Sequence, residues 1–262
     1  MNSSRDLRDQ VIATAHALHA RGWVANHDGN ITVRRGPDRF LCTPTAVSKA
    51  RVDHQNLIEV DGAGKRVSGT ARSFSELGLH LTVYRNRDDV GAVIHAHPPH
   101  ATALACSGAT LIERPFSPEV VVSLGPWIPT VPLARPGAAA EKALLAYVGD
   151  VDVVLLGGHG VLSWGADLET AFLRMELCEH HARIAIAAQA TGGVRPLPDA
   201  MLVPLCAARA RARLGRAGER AVELLGQLGR GELAAAAGGV AAPTGDIAAL
   251  VREELTRALK RR

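Results

Sequence analysis

The 262-residue sequence predicts an α/β fold: a mixed central β-sheet flanked by helices, followed by a helical C-terminal extension. Three observations carry this expectation. Two short apolar runs, residues 90–94 and 151–156, have strand length and lead directly into histidines. Segments with helical periodicity stand between and around them. Strands and helices follow no regular βα order, which argues against an all-parallel sheet.

Taken in order, Leu7, Val11, Ile12, Ala15 and Leu18 recur at helical spacing, so residues 5–21 form an amphipathic helix that Gly22 stops. Residues 30–34, 39–43 and 57–60 alternate as antiparallel strands, joined by turns such as Arg35-Gly36-Pro37-Asp38. The Gly-containing stretch 61–65 lacks the spacing of a phosphate loop and no helix follows it, so it is a hairpin turn. A helix over 75–87 leads to a strand over 90–97, which Pro98 and Pro99 end because they cannot donate to a ladder. Residues 100–107 are helical. Residues 119–122 and 127–132 read as short apolar strands, 138–148 as a helix, 152–156 as a buried strand and 167–190 as a long helix.

Composition changes after Arg195, so residues 1–195 are taken as one domain and residues 196–262 as a helical extension. The extension contains a helix over 209–231, a Gly/Ala/Pro-rich linker over 229–245 and a last helix over 248–260. The net charge of +4 belongs to this end. From Arg209 onward there are 11 basic and 6 acidic residues, net +5, against 19 and 20 before it, net −1. Aromatics make up only 3% of the chain, so a nucleic-acid surface with stacking rings is not expected. Cys42, Cys106, Cys178 and Cys206 form no C-x-x-C pair, which points away from a disulfide framework. The polar N-terminus and the lack of a long apolar run predict a soluble cytoplasmic protein with no membrane partner.

The chemistry concentrates at His95-Ala96-His97 and, 62 residues later, at Gly157-Gly158-His159-Gly160. Side chains at i and i+2 of a strand share a face, so His95 and His97 can converge on one ion, and a neighbouring strand end can deliver His159. Three imidazoles with an open fourth position describe a catalytic zinc-type site; cobalt, manganese or iron could also sit there. Glu76 stands in Ser73-Phe74-Ser75-Glu76, and by spacing alone this is a capping box. His80, one turn on, is read as supporting the site or as a surface residue, and His100 as structural. Asn30 and Thr45 lie in turns that serve either local turn chemistry or an anion.

These residues resemble the class II aldolase/adducin family. The matching pieces stand in order: Gly29-Asn30-Ile31-Thr32-Val33-Arg34, Thr43-Pro44-Thr45, Ser75-Glu76 with His80, His95-Ala96-His97, and Gly158-His159-Gly160. They span about residues 6–190. The resemblance implies a homotetramer with sites at subunit interfaces and one divalent ion per chain, normally zinc, on His95, His97 and His159. It raises Glu76 from a cap to a fourth ligand and general base. It gives Asn30, Thr45 and Ser75 the phosphate of a small substrate.

The implied reaction is a lyase reaction of aldolase type: C–C cleavage of a small hydroxy-ketone, phosphorylated or not, through a metal-stabilised enediolate. A decarboxylase, epimerase or dehydratase on the same scaffold is the alternative. A non-catalytic adducin-like interaction module is the alternative from another class, disfavoured because all three histidines and Glu76 are present. Three positions depart from the aldolase pattern. Phe74 replaces a serine, Ala46 replaces a glycine, and no tyrosine stands near Phe116 to protonate a leaving alkoxide, although Glu119 is close in sequence.

Overall fold

The computed structural model describes residues 4–235, with side chains described for 6–228. Eight strands form one mixed sheet in the order β4-β3-β2-β1-β5-β8-β7-β6. They are β1 (Asn30–Gly36), β2 (Arg39–Cys42), β3 (Ile58–Val60), β4 (Arg66–Ser68), β5 (Ala92–Ala96), β6 (Thr130–Val131), β7 (Val153–Leu156) and β8 (Gly160–Gly165). All neighbours are antiparallel except β6 and β7. The helices are α1 (Ser4–Ala20), α2 (Leu77–Asn86), α3 (Pro99–Ser107), α4 (Pro118–Ser123), α5 (Ala138–Val148), α6 (Leu168–Ala188), α7 (Asp199–Arg211), α8 (Arg216–Glu219) and α9 (Ala221–Ala235).

The strand period of two divides the apolar residues into two cores. Ala92, Ile94 and Ala96 of β5 face α1, α3 and α6 through Leu18, Leu104 and Met175. Val93 belongs to the opposite core, with Leu79 and Val83 of α2 and Leu144 of α5. His95 and His97 continue the Val93 row, so strand geometry directs both imidazoles toward the α2 layer.

Several elements depart from the sequence expectations. Residues 119–122 lie in α4 rather than a strand. Pro118 sits at the helix N-terminus, where its missing N–H is harmless, and Val120 and Val121 bury one helical face. Of 127–132, only Thr130–Val131 pairs, because Pro129 and Pro132 have no N–H to offer. The β8 strand was not expected. It is buried at every position, so it shows no alternation, and Gly160 opens it. Helix α7 starts ten residues before the expected 209, a turn at 212–215 interrupts the predicted 209–231 helix, and α9 runs to Ala235 through the first part of the predicted linker. The rest of that linker and the predicted helix over 248–260 lie outside the described residues. Residues 61–65 do form a hairpin turn, closed by an Asp61 N–H to Lys65 C=O bond of 2.9 Å. The four cysteines are free, and no described helix is long and apolar enough to cross a membrane.

One polar cluster binds the layers together. Asp152, fully buried just before β7, meets Arg87 from the end of α2 at 2.8 Å and Arg174 from α6 at 3.0 Å. Arg209 from α7 approaches it at 2.5 Å. Arg87 also caps the Val148 and Val151 carbonyls, and Arg174 reaches the Leu214 carbonyl. The C-terminal helices are thereby fastened to the sheet by charge as well as by the small apolar cluster of Val121, Leu202, Cys206 and Ala221. Arg87 also pairs with Asp89 at 2.7 Å, but removing Asp152 takes the carboxylate from buried Arg174 and Arg209, which costs more than the group contributes over an apolar replacement. Asp152→Ala is therefore expected to lower folding stability by about 3–5 kcal/mol, measured by urea denaturation. A loss under about 1 kcal/mol would show that the three guanidiniums do not depend on Asp152.

Candidate active site

Three elements meet at the candidate site. β5 supplies His95 and His97, the turn from β7 to β8 supplies His159, and the residue just before α2 is Glu76. The turn is tight because Gly160 pairs with Leu156 across only three residues. A Cβ on Gly160 would stand 2.5 Å from the His97 ring and 2.7 Å from the Ala96 carbonyl. Only glycine lets β8 start this close to the histidine strand.

Glu76 does not close a capping box. It occupies the N-cap position of α2 without a side-chain bond to the helix. Its carboxylate turns toward the sheet instead: Oε2 accepts a 2.8 Å hydrogen bond from Asn30 Nδ2, and Oε1 lies 2.5 Å from His159 Nε2 and 3.5 Å from His95 Nε2. Asn30 reaches it because it stands directly opposite His95 in the β1–β5 register. His97 Nε2 is 3.1 Å from His95 Nε2, and the His95 and His159 rings stack at 4.7 Å.

The donor set fits a divalent ion. His95 donates from Nδ1 to the Val161 carbonyl at 2.9 Å, which leaves Nε2 as a lone pair aimed at the cluster. One nitrogen from each of His95, His97 and His159 can be chosen so that all three lie within 4.8 Å of one another. Ligands at the usual zinc–nitrogen distance stand about 3.3 Å apart around a tetrahedron, and the 3.1 and 3.5 Å separations bracket that value. Two imidazole lone pairs 3.1 Å apart also repel unless a cation or proton stands between them.

Electrostatics favour the same occupant. Burial pushes His95 down to about 4 and also lowers His97, so both are neutral and ready to ligate. The Glu76 hydrogen bond outweighs burial at His159 and raises it. At Glu76 burial works upward, but the hydrogen bond from His159, the charge of His95 and the hydrogen bond from Asn30 outweigh it. The carboxyl is held well below the usual range.

Around this centre the sequence expectations fare unevenly. Ser75 is exposed at the lip of a cavity beside Glu76. Thr45 is half-buried, and its N–H bonds the Arg72 carbonyl at 3.0 Å, which ties its loop to the segment leading into Glu76. Ala46 has φ of 57°, the left-handed region that costs a non-glycine residue roughly 1–2 kcal/mol. Phe74 is buried with its ring edge-on to His80 at 5.2 Å. Phe116 stacks on His181, and Glu119 is exposed on α4; neither is hydrogen-bonded or ion-paired to the cluster. His100 is structural: it pairs with Glu179 at 2.6 Å, and that carboxylate also accepts from the His100 and Ala101 N–H groups.

Two features had no sequence signal. Asp28 Oδ2 lies 3.7 Å from His97 Nδ1, on the side of the ring away from the cluster. Behind Glu76, a buried relay links α2 to β1. The Tyr84 hydroxyl donates to the Thr32 carbonyl at 2.8 Å, so the Thr32 hydroxyl donates to Tyr84 and accepts from His80 Nδ1 at 2.8 Å. His80 Nε2 is then a buried lone pair without a partner, and burial pushes the ring down to about 3.

The chain matches the family described as Class II Aldolase and Adducin N-terminal domain over residues 9–186. The 3-oxo-tetronate 4-phosphate decarboxylase of Escherichia coli (strain K12) is 33% identical over 186 residues, which cover 69% of this chain and 86% of the relative. The L-fuculose phosphate aldolase of Methanocaldococcus jannaschii is 30% identical over 181 residues, covering 68% and 95%. The crystal structure of Escherichia coli YgbL, a protein described with aldolase, epimerase and decarboxylase as alternatives, aligns with a TM-score of 0.70. It is 29% identical and covers 76% of this chain and 97% of that one. With the histidine cluster and these relatives together, the chain belongs to the class II aldolase and adducin family, among its metal-dependent enzymes.

Proposed function

We propose that this protein is a divalent-metal-dependent decarboxylase of a small 3-oxo acid. One observation carries the choice over aldol cleavage: a single carboxylate, Glu76, sits in the histidine cluster, and neither tyrosine of the chain is hydrogen-bonded to it. Tyr84 is buried in the Thr32 relay, and Tyr147 packs against Trp127. Any second copy of the chain carries the same two. Aldol cleavage must remove a proton from the hydroxyl beside the breaking bond as well as supply one to carbon, whereas decarboxylation of an ionised acid needs only the second transfer. The decarboxylase among the relatives supports the same order, which reverses the sequence preference for an aldolase.

In this reading His95, His97 and His159 hold the ion, with Glu76 beside it. The ion, zinc by preference, supplies Lewis-acid stabilisation of the charge that develops on the 3-oxo oxygen. The bond between the carboxyl carbon and the α carbon breaks, its electron pair stays with the α carbon and the adjoining carbonyl, and the α carbon then takes a proton. Glu76, ionised at rest, would relay a proton from solvent water to that carbon. Burial favours its protonated form, and the His159 and Asn30 hydrogen bonds and the electrostatic pull of His95 and His159 oppose this. Loosening the His159 contact therefore lets Glu76 take up and hold the proton it passes on. Asn30 fixes Oε2 and so leaves Oε1 on the cluster side. Asn30, Thr45 and Ser75 are assigned to the substrate's anionic end, on the loops beside Glu76.

Residues 1–195 form the catalytic domain and 196–262 the extension, supported by the family match ending at residue 186. The enzyme works in the cytoplasm as a homotetramer, as the resemblance implies.

Ion-loaded protein is expected to release carbon dioxide from 3-oxo acids and to stop when the ion is chelated. Aldehyde release from L-fuculose 1-phosphate with no carbon dioxide from any 3-oxo acid would restore the aldolase reading. Glu76→Gln should keep its ion and lose about 10²–10⁴-fold in kcat; near-normal turnover would remove Glu76 from the chemistry. His97→Ala should fold but no longer hold one ion per chain, read by elemental analysis. A fully loaded His97→Ala protein would overturn the ligand set.

A further inference from the structure

A cavity of about 190 Å³ opens directly beside Glu76 and His159, away from the loops that carry Asn30 and Thr45. Its walls are Leu79 of α2, Leu133 and Pro136 of the segment after β6, Ala140 of α5 and Leu156 of β7. The charged residues on its lining are Glu76 and His159 at one end and Glu141 at the other; no lysine or arginine lines it. Glu141 is held there by a close fit. A Cβ on Gly78 would lie 2.2 Å from Glu141 Oε1, so the carboxylate rests against the bare first turn of α2. Thr82 Oγ1 lies 3.5 Å from Oε2, and Arg85 lies 3.9 Å from it on the solvent side.

We infer that this cavity receives the non-reacting arm of the substrate, that the arm is uncharged and chiefly apolar, and that Glu141 excludes a second anion from it. The inference rests on an ion at the histidine cluster, as proposed above, and not on which bond is broken there. Apolar walls bind methylenes by removing them from water. A phosphate or carboxylate extended into the same space, away from the ion, would lose hydration, meet no lysine or arginine on the lining and face the charge of Glu141. The neighbouring 3-oxo-tetronate 4-phosphate decarboxylases act, by name, on a phosphorylated acid. Any phosphate on the substrate of this chain must lie outside the cavity, from Ser75 at its lip toward Asn30 and Thr45.

Hydroxamates test this without turnover, because the head group chelates the ion while the tail reports on the cavity. Their affinities for the ion-loaded full-length protein are measured by calorimetry. From acetohydroxamate to hexanohydroxamate the affinity is expected to rise at least tenfold, since each buried methylene contributes about a factor of four at most. A six-carbon hydroxamate ending in phosphate should bind at least tenfold more weakly than its hydroxyl-ended counterpart, and Glu141→Gln should narrow that gap to about threefold. Ala140→Trp, which fills the space, should erase the length dependence. Leu133→Asp, a change at an exposed position, should weaken the hexanoyl probe at least fivefold. Equal or tighter binding of the phosphate-ended probe overturns the inference. So do a length dependence that survives Ala140→Trp and Leu133→Asp, and a failure of every hydroxamate to bind. Tail discrimination without carbon dioxide release from any 3-oxo acid upholds the cavity and overturns the decarboxylase reading. Carbon dioxide release without tail discrimination does the reverse.

Discussion

The buried bond between Asp152 and Arg87 is the constraint on which the arrangement of the site depends. Asp152 stands at the start of β7 and Arg87 at the end of α2, so the pair pins the far ends of the two elements that carry His159 and Glu76 at their near ends. Both elements are short and stiff. Fixing one end of each in a fully desolvated ion pair leaves little freedom at the other, where Glu76 and His159 come to 2.5 Å. Arg174 and Arg209 add the long helix α6 and the C-terminal helices to the same anchor. A buried aspartate among three arginines is not a route to maximum stability. Its contribution is geometric, since a misplaced strand or helix would leave guanidinium groups buried and unpaired.

The opposite end of the sheet is built from polar groups that lack full satisfaction from one another. Asn30 Oδ1 and His80 Nε2 are buried without partners, and the His95 and His97 nitrogens face each other at 3.1 Å. Native interiors rarely leave such groups unpaired without a functional reason. A divalent ion answers the imidazole part of this imbalance. The relay from His80 through Thr32 to Tyr84 fixes the tautomer of a ring packed behind Glu76 and keeps that ring neutral. Two of the three departures from the aldolase pattern, Ala46 and Phe74, lie beside the loops proposed to take the anion, where a strained methyl-bearing residue and a buried ring replace the glycine and the serine hydroxyl of the pattern. On the other side of Glu76 the walls are apolar. Glu76 therefore stands between a polar loop surface and an apolar cavity, which suits a substrate with one anionic and one uncharged end.

Much of this was legible in the chain itself. The spacing of His95 and His97 on an apolar run sets their shared face, because a strand repeats every two residues. The helices α1, α2, α5 and α6 follow from apolar periodicity. The hairpin at 61–65 follows from Asp61 and its glycines. Where local signals misled, a neighbour overruled them: the valines of 119–122 have strand propensity, but Pro118 and packing against α7 make them a helix. A buried central strand such as β8 shows no alternation, so nothing in its sequence marked it. The sequence also named Glu76 while favouring a capping role, since Ser-x-x-Glu spacing is the same whether the carboxylate turns back to its helix or across to a strand.

The sequence alone therefore determined the ligand types, the strand that pairs two of them and the family pattern, because these depend on residue identity and short-range periodicity. Only the tertiary structure decided that Glu76 points at the imidazoles, that Asp28 stands behind His97, and that Glu141 closes an apolar cavity. Each of these joins residues tens of positions apart, and their distances are set by sheet order and by the Asp152 anchor, which no local pattern encodes.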